Sequence, residues 1–166
     1  NWSKLSKDYS ACNSGKNQSP INIDKAIDGK LAAIPYNYNI LIADEIKNNG
    51  HSIQVDIRSG GEIEIDGKKF QLKQFHFHSP SENTIKGKTF PLEVHFVHSS
   101  EDGQLAVVAM MYGPGNPDPL LNSLLRNMPM KVGQANTLGN KDLSVLETDK
   151  ELKNYIRYNG SLTTPP

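Results

Sequence analysis

The chain has little of several features that define whole classes of protein. It contains one cysteine and one tryptophan in 166 residues, and apolar residues make up only 36% of it. No run approaches the roughly 18 consecutive apolar residues of a membrane-spanning helix, so no membrane segment is expected. Lys and Arg together number 18, as do Asp and Glu, so the formal net charge is zero. This balance argues against a nucleic-acid partner and against a disordered acidic chain.

The chain also lacks a secretion signal at its start and a second cysteine that could form a disulfide. Residues 1–4 lack the apolar stretch of a secretion signal, so any targeting peptide has been removed or was never present. The lone Cys12 leaves two interpretations open. A single thiol is most often a small buried apolar side chain, and the alternative is a disulfide with a cysteine outside this sequence.

Short alternating runs dominate what the chain does contain. Residues 53–57 and 63–65 alternate apolar and polar side chains, as half-buried strands do. Asp66-Gly67 is typical of a tight hairpin turn and leads into a strand over 68–72. The 13 glycines and 10 prolines also favour a loop-rich, strand-rich domain over a helical bundle.

The remaining elements follow from the same patterns. Residues 72–78 and 92–97 alternate as strands, and the nearly continuous apolar run 105–112 predicts a strand buried on both faces. A helix is predicted from Asp118, as N-cap, to residue 125, and a second over 147–155. The fold class is therefore mainly β (α+β), a single domain with a large twisted, mostly antiparallel sheet and short peripheral helices.

Four of the five histidines fall within residues 76–98, and their parity is informative. Side chains alternate faces along a strand, so His76 and His78 share one face. On the second strand, His95 shares a face with Glu93 and Val97, and His98 points the opposite way. His76, His78 and His95 are therefore the predicted metal ligands, and His98 is a core or surface residue.

Two polar residues lie two positions before predicted ligands and on the same face. Gln74 precedes His76 and Glu93 precedes His95. Each could accept a hydrogen bond from the second ring nitrogen of its histidine, which would fix the tautomer and the ring orientation. Three neutral imidazoles leave Zn²⁺ its full charge and one open position. A water bound there loses its proton near pH 7, so this ligand set suits a zinc-hydroxide nucleophile.

At this point the sequence resembles the α-class carbonic anhydrases, most of all the short bacterial members. The segment GKNQSPINI at residues 15–23 is similar to the N-terminal signature of that family, and NNGHS at 48–52 to its proton-shuttle segment. Residues 74–78, 81–83 and 93–98 resemble its zinc strands, and 159–166 the loop over the metal. These motifs occur in family order and spread across the whole chain.

The resemblance implies a role for each site residue. His76, His78 and His95 would bind Zn²⁺, and Thr163 would accept a hydrogen bond from the zinc-bound hydroxide while donating its own proton to Glu82. His51 would shuttle the product proton to solvent, since an imidazole pKa of about 6.5 suits both uptake and release. The remaining implied residues line the substrate pocket. They are Val97, Val107 and Leu162 on the apolar wall, and Gln54 and Thr164 on the wetter side.

The implied function is the reversible hydration of carbon dioxide to bicarbonate and a proton. The resemblance also implies sulfonamide-type inhibitors, and the oligomeric state, a homodimer among the alternatives, stays open. Residues 1–166 are expected to be one domain that lacks a C-terminal segment and a short N-terminal stretch. A cysteine after Pro166 would pair with Cys12, which implies a periplasmic or secreted protein.

Three alternatives compete with this reading. A non-catalytic carbonic-anhydrase-like binding protein would typically lose zinc histidines, and this chain keeps all three. A cupin-type enzyme shares the His76-x-His78 spacing with Glu82 four residues on, but Phe70 stands in place of its expected glycine, and no suitable glycine lies between Pro91 and His95. A structural zinc site usually has four protein ligands, often cysteines.

Overall fold

The computed structural model describes residues 2–38, 41–116, 118–142 and 151–164. Two 3-10 helices, Trp2–Lys4 and Lys7–Tyr9, and the short helix α1 (Ala11–Ser14) precede the first strand, and helix α2 spans Pro119–Leu125. The strands are β1 (Asn22–Ile23), β2 (Ile34–Asn37), β3 (Ile42–Asn48), β4 (Ile53–Ser59), β5 (Glu62–Ile65), β6 (Lys68–His78), β7 (Thr84–Ile85), β8 (Leu92–Ser99), β9 (Leu105–Tyr112), β10 (Ala135–Asp142) and β11 (Glu151–Leu152).

Nine of these strands form one antiparallel sheet. Its main path runs β10-β3-β4-β6-β5-β2-β11, and β8 joins β6 to β9. The long strand β6 is the centre: β5 pairs with its first half and β4 with its second half on one edge, and β8 pairs along the other. β1 and β7 make a separate parallel pair. The predicted fold class, a mainly β protein with a large antiparallel sheet and short helices, is confirmed.

The core lies on one face of the sheet because apolar residues alternate along its central strands. Phe75 of β6 is fully buried between its cross-strand partners, Val55 of β4 and Phe96 of β8. The rings of Phe75 and Phe96 lie 5.4 Å apart between centroids. Full burial of each such side chain contributes about 1.5–3 kcal/mol to folding. This packing holds β4, β6 and β8 in register and leaves their other face free for polar side chains.

The hairpin between β5 and β6 forms as its sequence predicts. Asp66 and Gly67 both have positive φ angles, 52° and 77°. Positive φ at both central positions is the type I′ geometry, whose twist matches that of the flanking strands. The turn therefore sets the β5–β6 register, in which Ile65 faces Lys68.

Helix α2 confirms the prediction for residues 118–125. The side chain of Asp118 accepts a hydrogen bond from the Leu121 N–H at 2.9 Å, and Pro119 occupies the first helical position. The prediction of a second helix over 147–155 is wrong for the residues that the structure describes. Residues 147–150 lie outside the described residues, and 151–152 form strand β11. No described helix is long and apolar enough to cross a membrane.

The prediction that β9 is buried on both faces is also wrong. Leu105 is 52% exposed and Val107 45% exposed. In the described part of the chain, β9 pairs with β8 alone, so no described strand lies along its outer edge. The apolar run correctly predicted a strand over 105–112. Whether one or both of its faces are buried depends on tertiary packing, which the composition of the run does not determine.

Candidate metal centre

Strand pairing brings the three predicted histidines together. His76 and His95 are directly opposite one another across the β6–β8 ladder, and His78 lies two residues along the same face of β6. The ring centroids are 5.0 Å apart for His76–His78, 5.3 Å for His76–His95 and 4.6 Å for His78–His95. One ligand nitrogen from each ring lies within 4.8 Å of the other two. The three nitrogens are therefore close enough together to form a candidate site for one metal ion, and Zn²⁺ is an ion that binds imidazole nitrogens.

The two hydrogen bonds expected on this face are present. Nδ1 of His76 donates to Oε1 of Gln74 at 2.8 Å, and Nε2 of His95 donates to Oε1 of Glu93 at 2.8 Å. Because these nitrogens carry the protons, Nε2 of His76 and Nδ1 of His95 keep lone pairs that can bind a metal. Gln74 and Glu93 therefore leave a different ring nitrogen available to a metal, Nε2 in His76 and Nδ1 in His95.

Burial favours the neutral form of His76 and His78. Burial, reinforced by the adjacent His95 and His78, lowers the pKa of His76 to about 4. Burial also lowers the pKa of His78, against the opposing effect of the Glu82 carboxylate. Nε2 of His78 is itself buried and has no hydrogen-bond partner among the described residues. A buried, unpaired nitrogen beside two free lone pairs fits a metal ion that accepts imidazole ligands, and Zn²⁺ is such an ion.

Glu93 is held by a residue whose contacts sequence reasoning missed. Asn83 donates to the Glu93 carboxylate from its main-chain nitrogen, at 2.9 Å, and from Nδ2, at 2.6 Å. Burial alone would raise the pKa of Glu93, but the hydrogen bonds from His95 and Asn83 outweigh it and lower the pKa to about 2. Asn83 follows Glu82 in the recognised motif, and no periodicity signalled that it reaches another strand.

Glu82 and Thr163 do not form the contact that the resemblance implies. Oε2 of Glu82 is buried and lies 3.4 Å from Nε2 of His78, and no hydrogen-bond partner for it exists in the described part of the chain. The expected donation from Thr163 to this oxygen is therefore absent. Thr163 is half-buried, and the two residues after Thr164 lie outside the described ranges. The catalytic roles of Glu82 and Thr163 stay predictions.

His51 lies on the exposed turn between β3 and β4. Oδ1 of Asn49 accepts hydrogen bonds from the main-chain N–H groups of His51, at 2.9 Å, and Ser52, at 2.8 Å. The His51 ring contacts Trp2 edge to face with 5.8 Å between centroids. These contacts fix the backbone of the turn while the imidazole meets solvent, which suits exchange of protons with water.

The predicted pocket residues are partly assembled. Gln54 of β4 lies opposite His76 across the ladder and donates to Oδ1 of Asp56 at 2.6 Å. Val97 is half-buried and lies opposite Val107 of β9. Leu162 is 45% exposed, and Thr164 is also exposed. Strand pairing therefore places Val97 beside Val107, and the pocket roles of all five residues stay predictions.

His98 and Cys12, the other residues singled out in the sequence, lie apart from the metal ligands. His98 is fully buried on the opposite face of β8, where Nδ1 donates to the Ala106 carbonyl at 3.3 Å and Nε2 accepts from the Tyr38 hydroxyl at 2.6 Å. Burial lowers the pKa of His98 to about 4, although main-chain hydrogen bonds with Ala106 and Phe96 act in the opposite direction. Cys12 is a free, half-buried thiol.

Comparison with known proteins agrees with this geometry. The family model for eukaryotic-type carbonic anhydrase matches residues 1–166. A carbonic anhydrase of Neisseria gonorrhoeae is 48% identical over 166 residues, which are 99% of this chain and 65% of that protein. One from Pectobacterium atrosepticum is 42% identical over 165 residues, 99% of this chain and 67% of that protein. This chain thus spans about two thirds of the length of these relatives.

A solved structure matches the fold over nearly the whole chain. It is the α-carbonic anhydrase from Thermovibrio ammonificans in complex with the inhibitor sulfanilamide, with a TM-score of 0.89 and 41% identity. The match covers 99% of this chain and 73% of that one. Sequence and fold therefore point to the same set of relatives.

Proposed function

Since the chain belongs to the α-class, eukaryotic-type carbonic anhydrase family, we propose that it catalyses the reversible hydration of carbon dioxide to bicarbonate and a proton. The observation that carries the proposal is the convergence of His76, His78 and His95 on one point, with ligand nitrogens within 4.8 Å of one another. These three residues would hold Zn²⁺. When bound by three neutral imidazoles, Zn²⁺ supplies a Lewis acid that brings the pKa of a coordinated water to about 7.

The protein contributes orientation at the ligands. Gln74 and Glu93 each accept a hydrogen bond from the protonated ring nitrogen of one histidine, so the other ring nitrogen is left for the metal. Rigid pairing of this kind preserves ligand direction, and loss of such a partner typically costs 10–100-fold in metal affinity or activity. Gln74 and Glu93 are therefore assigned to metal positioning.

Glu82 and Thr163 are assigned to orienting the nucleophilic solvent molecule. The support is chemical: Oε2 of Glu82 is buried and has an unused acceptor site, which a hydroxyl donor would satisfy. A Thr163 hydroxyl that donates to Glu82 has its lone pairs free to accept from the solvent molecule. That arrangement aims the nucleophile at the substrate carbon.

Different residues would bind carbon dioxide and carry the product proton. Val97, Val107 and Leu162 would form the apolar side of the substrate pocket, with Gln54 and Thr164 at its polar side. His51 would accept the proton released by hydration and pass it to solvent, because its imidazole lies on an exposed turn. Carbon dioxide would thus bind on the apolar side, and the proton would leave through the polar side.

Zinc stoichiometry measured together with carbon dioxide hydration tests the proposal. We expect one zinc per purified 166-residue chain by elemental analysis, and hydration in a stopped-flow assay that disappears when a chelator removes the metal. One zinc per chain without hydration would instead support the non-catalytic binding protein. A chain without zinc would reject both the metal site and the activity.

Three remaining expectations go with this function. A relative in this family has been solved with sulfanilamide, and we propose that aromatic sulfonamides also inhibit this protein. We further propose a periplasmic or secreted location, with Cys12 paired to a cysteine beyond residue 166 in the full-length protein. Intact mass with and without reductant tests that pairing, and light scattering tests whether the protein is a homodimer.

A further inference from the structure

Asn83 is a buried polar residue beside the metal centre to which the proposed chemistry gives no role. It is 4% exposed and lies between Glu82 and strand β7. A buried polar group that is left unpaired destabilises the folded state. Here the main-chain N–H, the side-chain NH₂ and the side-chain oxygen of Asn83 all have partners. The surroundings are therefore complementary to a carboxamide.

The donor groups of Asn83 hold both oxygens of Glu93. The main-chain N–H donates to Oε2 at 2.9 Å, and Nδ2 donates to Oε1 at 2.6 Å. Oε1 is also the atom that accepts from Nε2 of His95, at 2.8 Å. Because two separate donors hold the two oxygens, the carboxylate cannot rotate without breaking a hydrogen bond. Its plane sets the direction of the His95 ring.

The acceptor group of Asn83 is held from the opposite side. Oδ1 accepts from the Ile21 main-chain N–H at 2.8 Å and from the Tyr158 hydroxyl at 3.4 Å. Since a main-chain N–H can be met only by an acceptor, this contact identifies Oδ1 and leaves Nδ2 facing Glu93. The Ile21 carbonyl in turn accepts from the Thr84 N–H at 3.1 Å, so the segment holding Asn83 is itself fixed.

We propose that Asn83 is a positioning residue of the metal centre, which fixes the Glu93 carboxylate and through it the metal-binding nitrogen of His95. The inference rests on the proposed zinc site. Alanine at position 83 would leave Glu93 with two donors, the main-chain N–H of residue 83 and Nε2 of His95. Aspartate would keep the acceptor for Ile21 but would replace the NH₂ donor with an oxygen facing a carboxylate.

The rate of zinc release tests this role without relying on turnover. The zinc-loaded chain is mixed with excess chelator, and the appearance of the zinc–chelator complex is followed. We expect Asn83→Ala to speed release about 10-fold, the lower end of what loss of an outer-shell partner costs. The matched control is Asn127→Ala, because the Asn127 amide donates to the Ser123 carbonyl at 3.0 Å in the segment after α2. It should change release less than two-fold.

A double-mutant cycle separates positioning from general loss of structure. If Asn83 acts through Glu93, Asn83→Ala should have less than a two-fold effect in a Glu93→Ala background. An equal effect in both backgrounds, or no effect in the wild-type background, would reject the inference. The conservative Asn83→Ser replaces Asn83→Ala if the latter does not unfold cooperatively. Failure of both to fold would make Asn83 a folding residue and also reject it.

The controls distinguish this inference from the function on which it rests. A wild-type chain that binds no zinc rejects the proposed function. A wild-type chain that binds one zinc, with release unchanged by Asn83→Ala, rejects only the role of Asn83.

Discussion

His95 and His98 lie three residues apart on the same strand, and both are buried, yet they serve opposite faces of the sheet. On one face, His95 donates to Glu93 and leaves a lone pair directed away from the carboxylate. On the other, His98 donates to the Ala106 carbonyl and accepts from Tyr38, so both of its nitrogens are occupied by the protein itself.

The difference shows how the same side chain becomes either a ligand or a core residue. A buried imidazole with one protein partner has a nitrogen left over for a metal, whereas one with two partners has none. Strand parity assigned the two rings to different faces, and the neighbours on each face decided their chemistry. Substitutions on the His95 face should therefore change zinc binding, and substitutions on the His98 face should change the free energy of unfolding.

The largest effect should come from removing the ligand of the metal-binding face. His95→Ala is expected to weaken zinc binding by more than the roughly 100-fold that loss of an outer-shell partner costs, and to abolish hydration. Competition with a chelator of known affinity measures the first, and stopped-flow hydration the second. Retention of one tightly bound zinc in this variant would contradict the assignment of His95.

A substitution on the core face should lower stability and leave zinc binding unchanged. His98→Ala removes a fully buried ring and leaves the Tyr38 hydroxyl without its acceptor, so the free energy of unfolding should fall by about 3 kcal/mol. Zinc stoichiometry at a temperature where the variant is folded should stay at one per chain. Denaturant unfolding and elemental analysis measure the two quantities, and loss of zinc from the folded variant would break the comparison.

The pH dependence of stability sharpens the same contrast. His98 has a folded-state pKa of about 4, below the ordinary value of 6.5, because burial disfavours its cation. The unfolded state thus binds more protons below pH 6.5, and stability falls as the pH is lowered towards 4. Between pH 7 and pH 5 the contribution of His98 amounts to about 2 kcal/mol.

His98→Gln isolates that contribution, since glutamine can donate and accept but does not titrate. Unfolding free energies of both proteins at pH 7 and pH 5, in the same chelator, cancel the changes that arise at the metal-binding histidines. We expect the variant to lose about 2 kcal/mol less than the wild type. Equal losses in the two proteins would show that His98 does not titrate in this range.

The smallest effect should come from a histidine on neither face. His51→Ala leaves the metal ligands in place, so hydration in weak buffer should slow by about 10-fold, the low end of what loss of a proton-transfer group costs. Added imidazole should restore most of the rate. The shuttle assignment fails if imidazole gives no recovery. The free energy of unfolding should fall by no more than about 1 kcal/mol, because the side chain is exposed and its one ring contact is with Trp2.

Several features of the site could be predicted from the sequence alone. The His76-x-His78 spacing and the parity of His95 predicted which histidines converge, and the two-residue offset predicted their hydrogen bonds to Gln74 and Glu93. These contacts were predictable because side-chain direction along a strand depends only on the local backbone. The Asp66-Gly67 turn was predictable for the same reason, since its φ angles are a property of those two residues.

Other features depended on which segments meet. The exposure of Val107 follows from the absence of a described neighbour on the outer edge of β9, and the hydrogen bonds of His98 follow from the position of Tyr38, 60 residues earlier in the chain. Asn83 acquires its role only because β7, β8 and the segment around Ile21 come together. Periodicity along the chain was sufficient to direct three imidazoles to one face. The number of partners each buried polar group receives was settled by long-range packing, because hydrogen bonding depends on distances that neighbouring residues alone do not set.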